Sequence, residues 1–232
     1  MNALKNYFND FLYLLFPHLC IGCGSDILNM QDILCAKCID GLPRTGFIDA
    51  ADNPVEKIFY GRMNIECAAS AFYFTKNSVM QHAIIQLKYK NNKLAGIFLG
   101  KLLGWQIAQS TRFDDVDLIV PVPLNDKKFY KRGYNQAEII AKGIASIWHK
   151  PVAANAVERV LFTETQTHKN RVDRWKTMEG VFTVTQPEAI ANKHILLVDD
   201  VITTGSTLEA CGQAILKIPG IKLSIATLAY TI

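Results

Sequence analysis

Apolar and polar positions along this chain switch repeatedly between a helical and a strand period. Leu4, Phe8, Phe11, Leu12, Leu15 and Phe16 recur at nearly helical spacing, so a short amphipathic helix is predicted over 3–16. Residues 17–43 lose that period and become rich in cysteine and turn formers, and a Gly/Pro/Asp-containing connector follows to about residue 56. Strands are then predicted over 67–75, 116–123, 156–162, 193–198 and 222–229, and helices over 79–87, 94–108, 135–148 and 208–216. Asn77 or Ser78 supplies an N-cap for the first of these helices, and the 116–123 strand ends in prolines. Residues 163–180 are polar and read as a long loop. Strands alternating with helices imply an α/β fold, a mostly parallel sheet flanked by helices.

Composition adds little to that outline and removes a few classes. At 232 residues the chain can bury a sizeable core, with one main domain over 46–232 and a small N-terminal appendage over 1–45. Half of the residues are hydrophobic (50%) and 20% are charged, an ordinary globular balance. The net charge of +4 suits an anionic small molecule or a nucleic acid and does not choose between them. The apolar run 11–16 is short and follows Asn9-Asp10, where a signal peptide would carry positive charge. No run approaches the roughly 20 apolar residues of a membrane span. The expectation is a cytoplasmic protein whose cysteines sit in a reducing compartment.

The chemistry concentrates in the run from Ile195 to Thr207. Four apolar residues lead into Asp199 and Asp200, then into a hydroxyl-rich turn, Thr203-Thr204-Gly205-Ser206-Thr207, that opens a helix. In open parallel sheets ligands bind beyond the carboxyl ends of strands. Adjacent carboxylates there can accept from a pair of sugar hydroxyls. Backbone N–H groups at the helix start can hold a phosphate, with Gly205 allowing close approach. Any one part of this run is more often plain strand–turn–helix structure; it is the complete run that points to a site.

A second cluster lies near the N-terminus. Cys20-Ile-Gly-Cys23 and Cys35-Ala-Lys-Cys38 are two CxxC pairs. A two-residue gap lets both thiolates of a pair reach one tetrahedral ion, and in a reducing compartment structural Zn²⁺ is favoured over disulfides. His18 is a spare ligand at most, while Cys67 and Cys211 fall in a strand and a helix as small buried hydrophobes.

As a whole, the 195–207 run resembles the signature of the type I phosphoribosyltransferases. That resemblance implies that Asp199 and Asp200 bind the ribose hydroxyls of phosphoribosyl pyrophosphate. It implies too that Thr203, Thr204, Gly205, Ser206 and Thr207 bind its 5′-phosphate, with Mg²⁺ accompanying the substrate. Several purine-using members carry an acid at the first loop position; Thr203 stands there in this chain. Further segments are similar to ComF-type proteins, in that family's order. They are the cysteine-rich start, Gln86-Leu-Lys-Tyr89 with Leu94-Ala95 and Leu99-Gly100, and Val120-Pro-Val-Pro-Leu124 followed by Lys131 to Ala137. Arg159, Thr163, Gln166 and Arg174 up to Phe182 complete the set, with Thr177 where an asparagine is expected.

Two functions follow as expectations. One is a phosphoribosyltransferase-type enzyme or enzyme-derived binder, acceptor unknown, with no residue announcing itself as a general base. The other is a non-catalytic competence protein handling single-stranded DNA beside a helicase-like partner, as the ComF resemblance implies. Lys127, Lys128, Lys131 and Arg132 form a basic run, which by itself reads as a solvated loop, and Lys88 and Arg174 are further candidates for pyrophosphate. Tyr130 and Tyr134 are the available stacking side chains for DNA.

Overall fold

The computed structural model describes residues 17–27, 32–160 and 181–231. The predicted 3–16 helix and the polar 163–180 loop, with Thr163, Gln166, Arg174 and Thr177, lie outside the described residues.

Four strands form the central sheet: β1 (Cys67–Phe74), β2 (Leu118–Pro121), β5 (His194–Ile202) and β6 (Lys222–Thr231). Their order is β1-β6-β5-β2 and every pairing is parallel. A parallel sheet is covered on both faces, which explains the nearly unbroken apolar runs in β5 and β6.

Helices α3 (Val79–Tyr89), α4 (Lys93–Ala108) and α6 (Gln136–Trp148) pack together, with α3 against β1 and α6 against β2 and β5. Helix α8 (Ser206–Leu216) packs on β5 and β6. The α4–α6 contact is unusually close because it is lined by glycine. A Cβ on Gly143 would lie 2.8 Å from the Gly100 Cα, and one on Gly104 would lie 2.9 Å from the Ile144 Cα. The backbones themselves touch, so this helix pair admits no side chain at its crossing.

The segment before β1 is held by a buried ion pair. Arg112, just after α4, pairs with Glu56 and also donates to the carbonyls of Phe47, Ile48 and Ala50. Glu56 in turn accepts from the amides of Asp52 (2.7 Å) and Ala68 (3.2 Å). It belongs to α2 (Pro54–Lys57), whose cap Asn53 accepts from the amides of Val55 and Glu56.

Three expectations need correction. The strand expected over 156–162 does not join the main sheet. Its described part is β3 (Val157–Arg159), paired antiparallel with β4 (Phe182–Val184). Val157 is buried, Glu158 exposed and Arg159 half-buried, an alternation that suits a two-stranded ribbon with one wet face. The basic run is no loop but α5 (Asp126–Arg132), capped by Asn125 and ended by Gly133 at φ +76°. Its acid sits in the first turn and Lys131 and Arg132 in the last, matching the helix dipole. Finally, β5 runs on to Ile202 instead of stopping at Val198, so both acids lie within the strand.

Candidate functional site

The strand ends explain why a crevice opens where it does. Strand β2 pairs with β5 only as far as Pro121 opposite Val198, and one more bond follows, from the Val122 amide to the Val198 carbonyl at 2.9 Å. Pro121 and Pro123 carry no N–H to extend the ladder. Among the described residues strand β5 continues beyond that point paired with β6 alone, from Asp199 opposite Thr227 to Ile202 opposite Tyr230. Beyond β2 the chain passes through α6 and adds Val152 beside Ile119 on the outer edge, whereas β5 leads through α8 to β6 on the other side. The β2–β5 gap is therefore the topological switch point, the place where ligands enter such sheets.

Successive strand residues point to opposite faces, so the two acids part company. Asp200, 8% exposed, is met by Lys88 of α3, whose Nζ lies 2.8 Å from each carboxylate oxygen. Asp199 faces the α8 side and lines an open hollow with Thr203, Thr204, Gly205, Ser206 and Thr207. It is partly open to that hollow yet crowded by protein atoms on its other sides. This burial, with the neighbouring Asp200 charge, pushes its carboxyl up to about 7, against the opposing pull of the Asp200 amide, Lys88 and Lys128. The Asp199 carboxylate accepts from that amide at 2.8 Å.

The loop itself presents polar groups outward. Thr203, Thr204 and Thr207 are exposed, and the Thr204 and Ser206 hydroxyls lie 3.0 Å apart. Among the described residues helix α8 begins without a side-chain cap, an arrangement that suits its first amides to an anion. Gly205 also has a packing reason to be glycine. Its φ is +72°, and a Cβ there would meet Ile58 Cγ2 at 2.7 Å and Phe59 Cε1 at 3.1 Å. The side of Gly205 where a side chain would project is thus covered by protein.

The four expected metal ligands come together. The sulfurs of Cys20, Cys23, Cys35 and Cys38 all lie within 4.8 Å of one another, and none is in a disulfide. Four thiolates about 2.3 Å from one Zn²⁺ require such spacing. The turn is shaped for it. The Cys35 amide approaches Cys20 Sγ at 3.3 Å, and a Cβ on Gly22 would lie 2.9 Å from Cys38 Sγ. Burial pushes the Cys38 thiol up, while the Ser25 hydroxyl and amide hold Cys23 down at about 6. A cation among the sulfurs is what would let all four ionise together. The cluster can therefore hold a metal such as zinc. His18 is not part of it: its Nε2 lies 2.6 Å from the Asp32 carbonyl oxygen.

Other candidates are sorted by the fold. Tyr134 is buried, donates to the Leu87 carbonyl and lies under Lys93, so it cannot stack on a base. Tyr130 is 87% exposed. Cys67 and Cys211 are buried, as their strand and helix positions implied. Sequence reasoning missed Arg62, which donates to the Thr204 carbonyl at 2.9 Å and pairs with Glu209 of α8. No local signal could have found it, since Thr204 and Glu209 lie more than a hundred residues away.

Comparison with known proteins agrees with this geometry. The phosphoribosyl transferase domain family matches residues 130–231. Competence protein F of Haemophilus influenzae is 27% identical over 88% of this chain and 93% of its own length. ComFC of Bacillus subtilis is 25% identical over 89% of this chain and 82% of its own. The DNA utilization protein YhgH of Escherichia coli is 29% identical over 58% of this chain and 60% of its own length. A phosphoribosyl transferase domain match over 130–231 on a parallel sheet, a four-cysteine cluster before it and similarity to competence proteins along most of the chain together support a ComF-type protein with a type I phosphoribosyltransferase-like domain.

Proposed function

We propose that this protein binds phosphoribosyl pyrophosphate together with Mg²⁺ at the β2–β5 switch point and transfers the phosphoribosyl group to a nitrogen nucleophile. The observation that carries the reading is the meeting of Asp199 with the uncapped start of α8 in one hollow. In this reading the 5′-phosphate sits against the amides and hydroxyls of Thr203 to Thr207, as a helix N-terminus favours an anion. Asp199 and Asp200 accept from the ribose hydroxyls, each from its own side of the strand. Mg²⁺ is held largely by the substrate's phosphates, as is usual for an ion that keeps its waters, and it offsets the charge of the departing pyrophosphate.

The chain's own residues then position and neutralise. Lys88 holds and orients the Asp200 carboxylate, and Lys128 adds positive potential from α5. In the reaction the bond from C1 to pyrophosphate breaks with its electron pair leaving on the pyrophosphate. The nucleophile's lone pair closes on C1, and its proton passes to solvent. Thr203 offers no carboxylate to take that proton, so catalysis rests on placement and charge. We further read residues 1–45 as a module organised by Zn²⁺ at Cys20, Cys23, Cys35 and Cys38, attached to the phosphoribosyltransferase-like part over 46–232.

Titration calorimetry with phosphoribosyl pyrophosphate and Mg²⁺ tests the binding half: saturable heat is expected from the wild type and none from D199N/D200N. Equal binding by that double variant would remove the site. A screen for pyrophosphate release against candidate bases and amines tests transfer.

A second reading, single-stranded DNA handling in the cytoplasm beside a helicase-like partner, is favoured by one surface. Arg132 of α5 lies 5.5 Å from the centre of the Tyr89 ring, beside exposed Phe129, Tyr130 and Lys131. Aromatic faces among cations suit unstacked bases. The names of the relatives, competence and DNA utilization proteins, point the same way. Salt-dependent oligonucleotide binding that survives D199N/D200N but is lost with Y130A/R132A supports this surface, and binding indifferent to both variants removes it.

A further inference from the structure

The phosphate loop is held from behind by residues 58–62. Ile58 and Phe59 fill the space beside Gly205, and Arg62 bonds to the loop at Thr204. Its Nη1 donates to the carbonyls of Ile58 (3.0 Å) and Thr204 (2.9 Å), while its Nη2 pairs with the Glu209 carboxylate. Gln213, one turn further along α8, donates to the Arg62 carbonyl at 3.3 Å and to Glu209 at 3.4 Å. The carbonyls of Ile58 and Thr204 and the Glu209 carboxylate thus converge on a single guanidinium.

We propose that Arg62 is a positioning residue for the phosphate loop, orienting the Thr204 carbonyl away from the ligand and neutralising Glu209 beneath it. The proposal rests on the reading of Thr203–Thr207 as the 5′-phosphate site. Two physical effects are combined. A carbonyl fixed by Arg62 keeps its lone pairs out of the hollow, so the loop shows an anion its donors alone. Glu209 lies in the first turn of α8, where an unpaired carboxylate would repel a phosphate bound at the same helix start. The planar Arg fork serves both partners at once, which a lysine point charge cannot do.

Glu209 supplies a readout that a merely structural role would not move. Affinity for phosphoribosyl pyrophosphate with Mg²⁺ is measured by calorimetry on the full chain at low and moderate salt. R62M is expected to weaken binding roughly tenfold at low salt, the scale of one charge-assisted hydrogen bond. R62M/E209Q is expected to recover part of that loss, because the uncompensated carboxylate is gone, and R62K to fall between wild type and R62M. Unchanged affinity in R62M, or a loss that E209Q does not relieve at any salt, overturns the proposal while leaving the phosphate site standing. If R62M fails to fold, R62K decides, and wild-type affinity in that variant overturns it. Absence of saturable binding by the wild type removes the phosphate-site reading, and this proposal falls with it.

Discussion

Lys88 and Asp200, 112 residues apart, meet with Nζ 2.8 Å from the carboxylate at the mouth of the β2–β5 crevice. The lysine comes from the last turn of α3 and the acid from the overhanging part of β5, so the pair ties the two walls of the site together. Both side chains are largely covered, at 22% and 11% exposure. K88M leaves a covered carboxylate without its cation, and destabilisation of about 1–3 kcal/mol is expected in urea unfolding. The same variant should bind phosphoribosyl pyrophosphate more weakly, since two acids then face an anionic ligand with less positive charge between them.

Asp199 makes the site sensitive to pH near neutrality. Its folded carboxyl, pushed up to about 7, lies above the ordinary value of about 3.9. Between these values the folded state holds a proton that the unfolded chain has released. The ligand-free protein should therefore lose stability as pH rises from about 4 through about 7, and D199N should flatten that slope. Ligand affinity should move the opposite way. A carboxylate that accepts from sugar hydroxyls must be ionised, so binding should strengthen as pH rises through 7. Calorimetry at a series of pH values checks both signs.

The cysteine cluster predicts zinc near one per chain in protein purified without chelators. C20S or C38S should lose the metal, while C67S and C211S should retain it, because those sulfurs lie apart in β1 and α8. Chelation should lower the thermal midpoint, as the metal's binding free energy is lost from the folded state. Elemental analysis paired with thermal melts distinguishes these outcomes.

Helix packing offers a test independent of ligands. A methyl group at Gly100 would collide with the Ile140 carbonyl oxygen and stand 3.0 Å from the Gly143 Cα. Backbone cannot rotate aside as a side chain can, so G100A should destabilise the protein by about 1–3 kcal/mol or more in equilibrium unfolding. At Gly24 no described residue lies within reach of a Cβ, and the φ of +73° is what disfavours a side chain. G24A should therefore cost only about 1–2 kcal/mol.

How much of this was legible beforehand differs from residue to residue. The β5 acids, the loop and the CxxC pairs were readable because each is a local pattern whose chemistry depends on near neighbours in the chain. Helices α3, α4 and α6 fell close to their expected ranges for the same reason: caps at Ser78, Asn92 and Asn135 and apolar periodicity are local signals. Helix α5 is hidden in the sequence because its seven residues carry no buried face; its cap and its charges make it. The partner of β3 is not legible in the sequence, because strand propensity does not say which edge a strand will pair with.

By itself the sequence determined the alternating α/β order, the four-thiol cluster and the run that resembles a phosphoribosyltransferase signature. Only the tertiary structure decided that Asp199 and Asp200 face opposite sides of β5, that Lys88 holds one of them, and that Arg62 braces the loop behind Thr204. It likewise removed Tyr134 from the surface and gave Gly205 a packing reason. The physical cause is the same in each case. Periodicity and caps act over a few residues, whereas an ion pair or a glycine contact depends on where a distant segment is brought by the sheet.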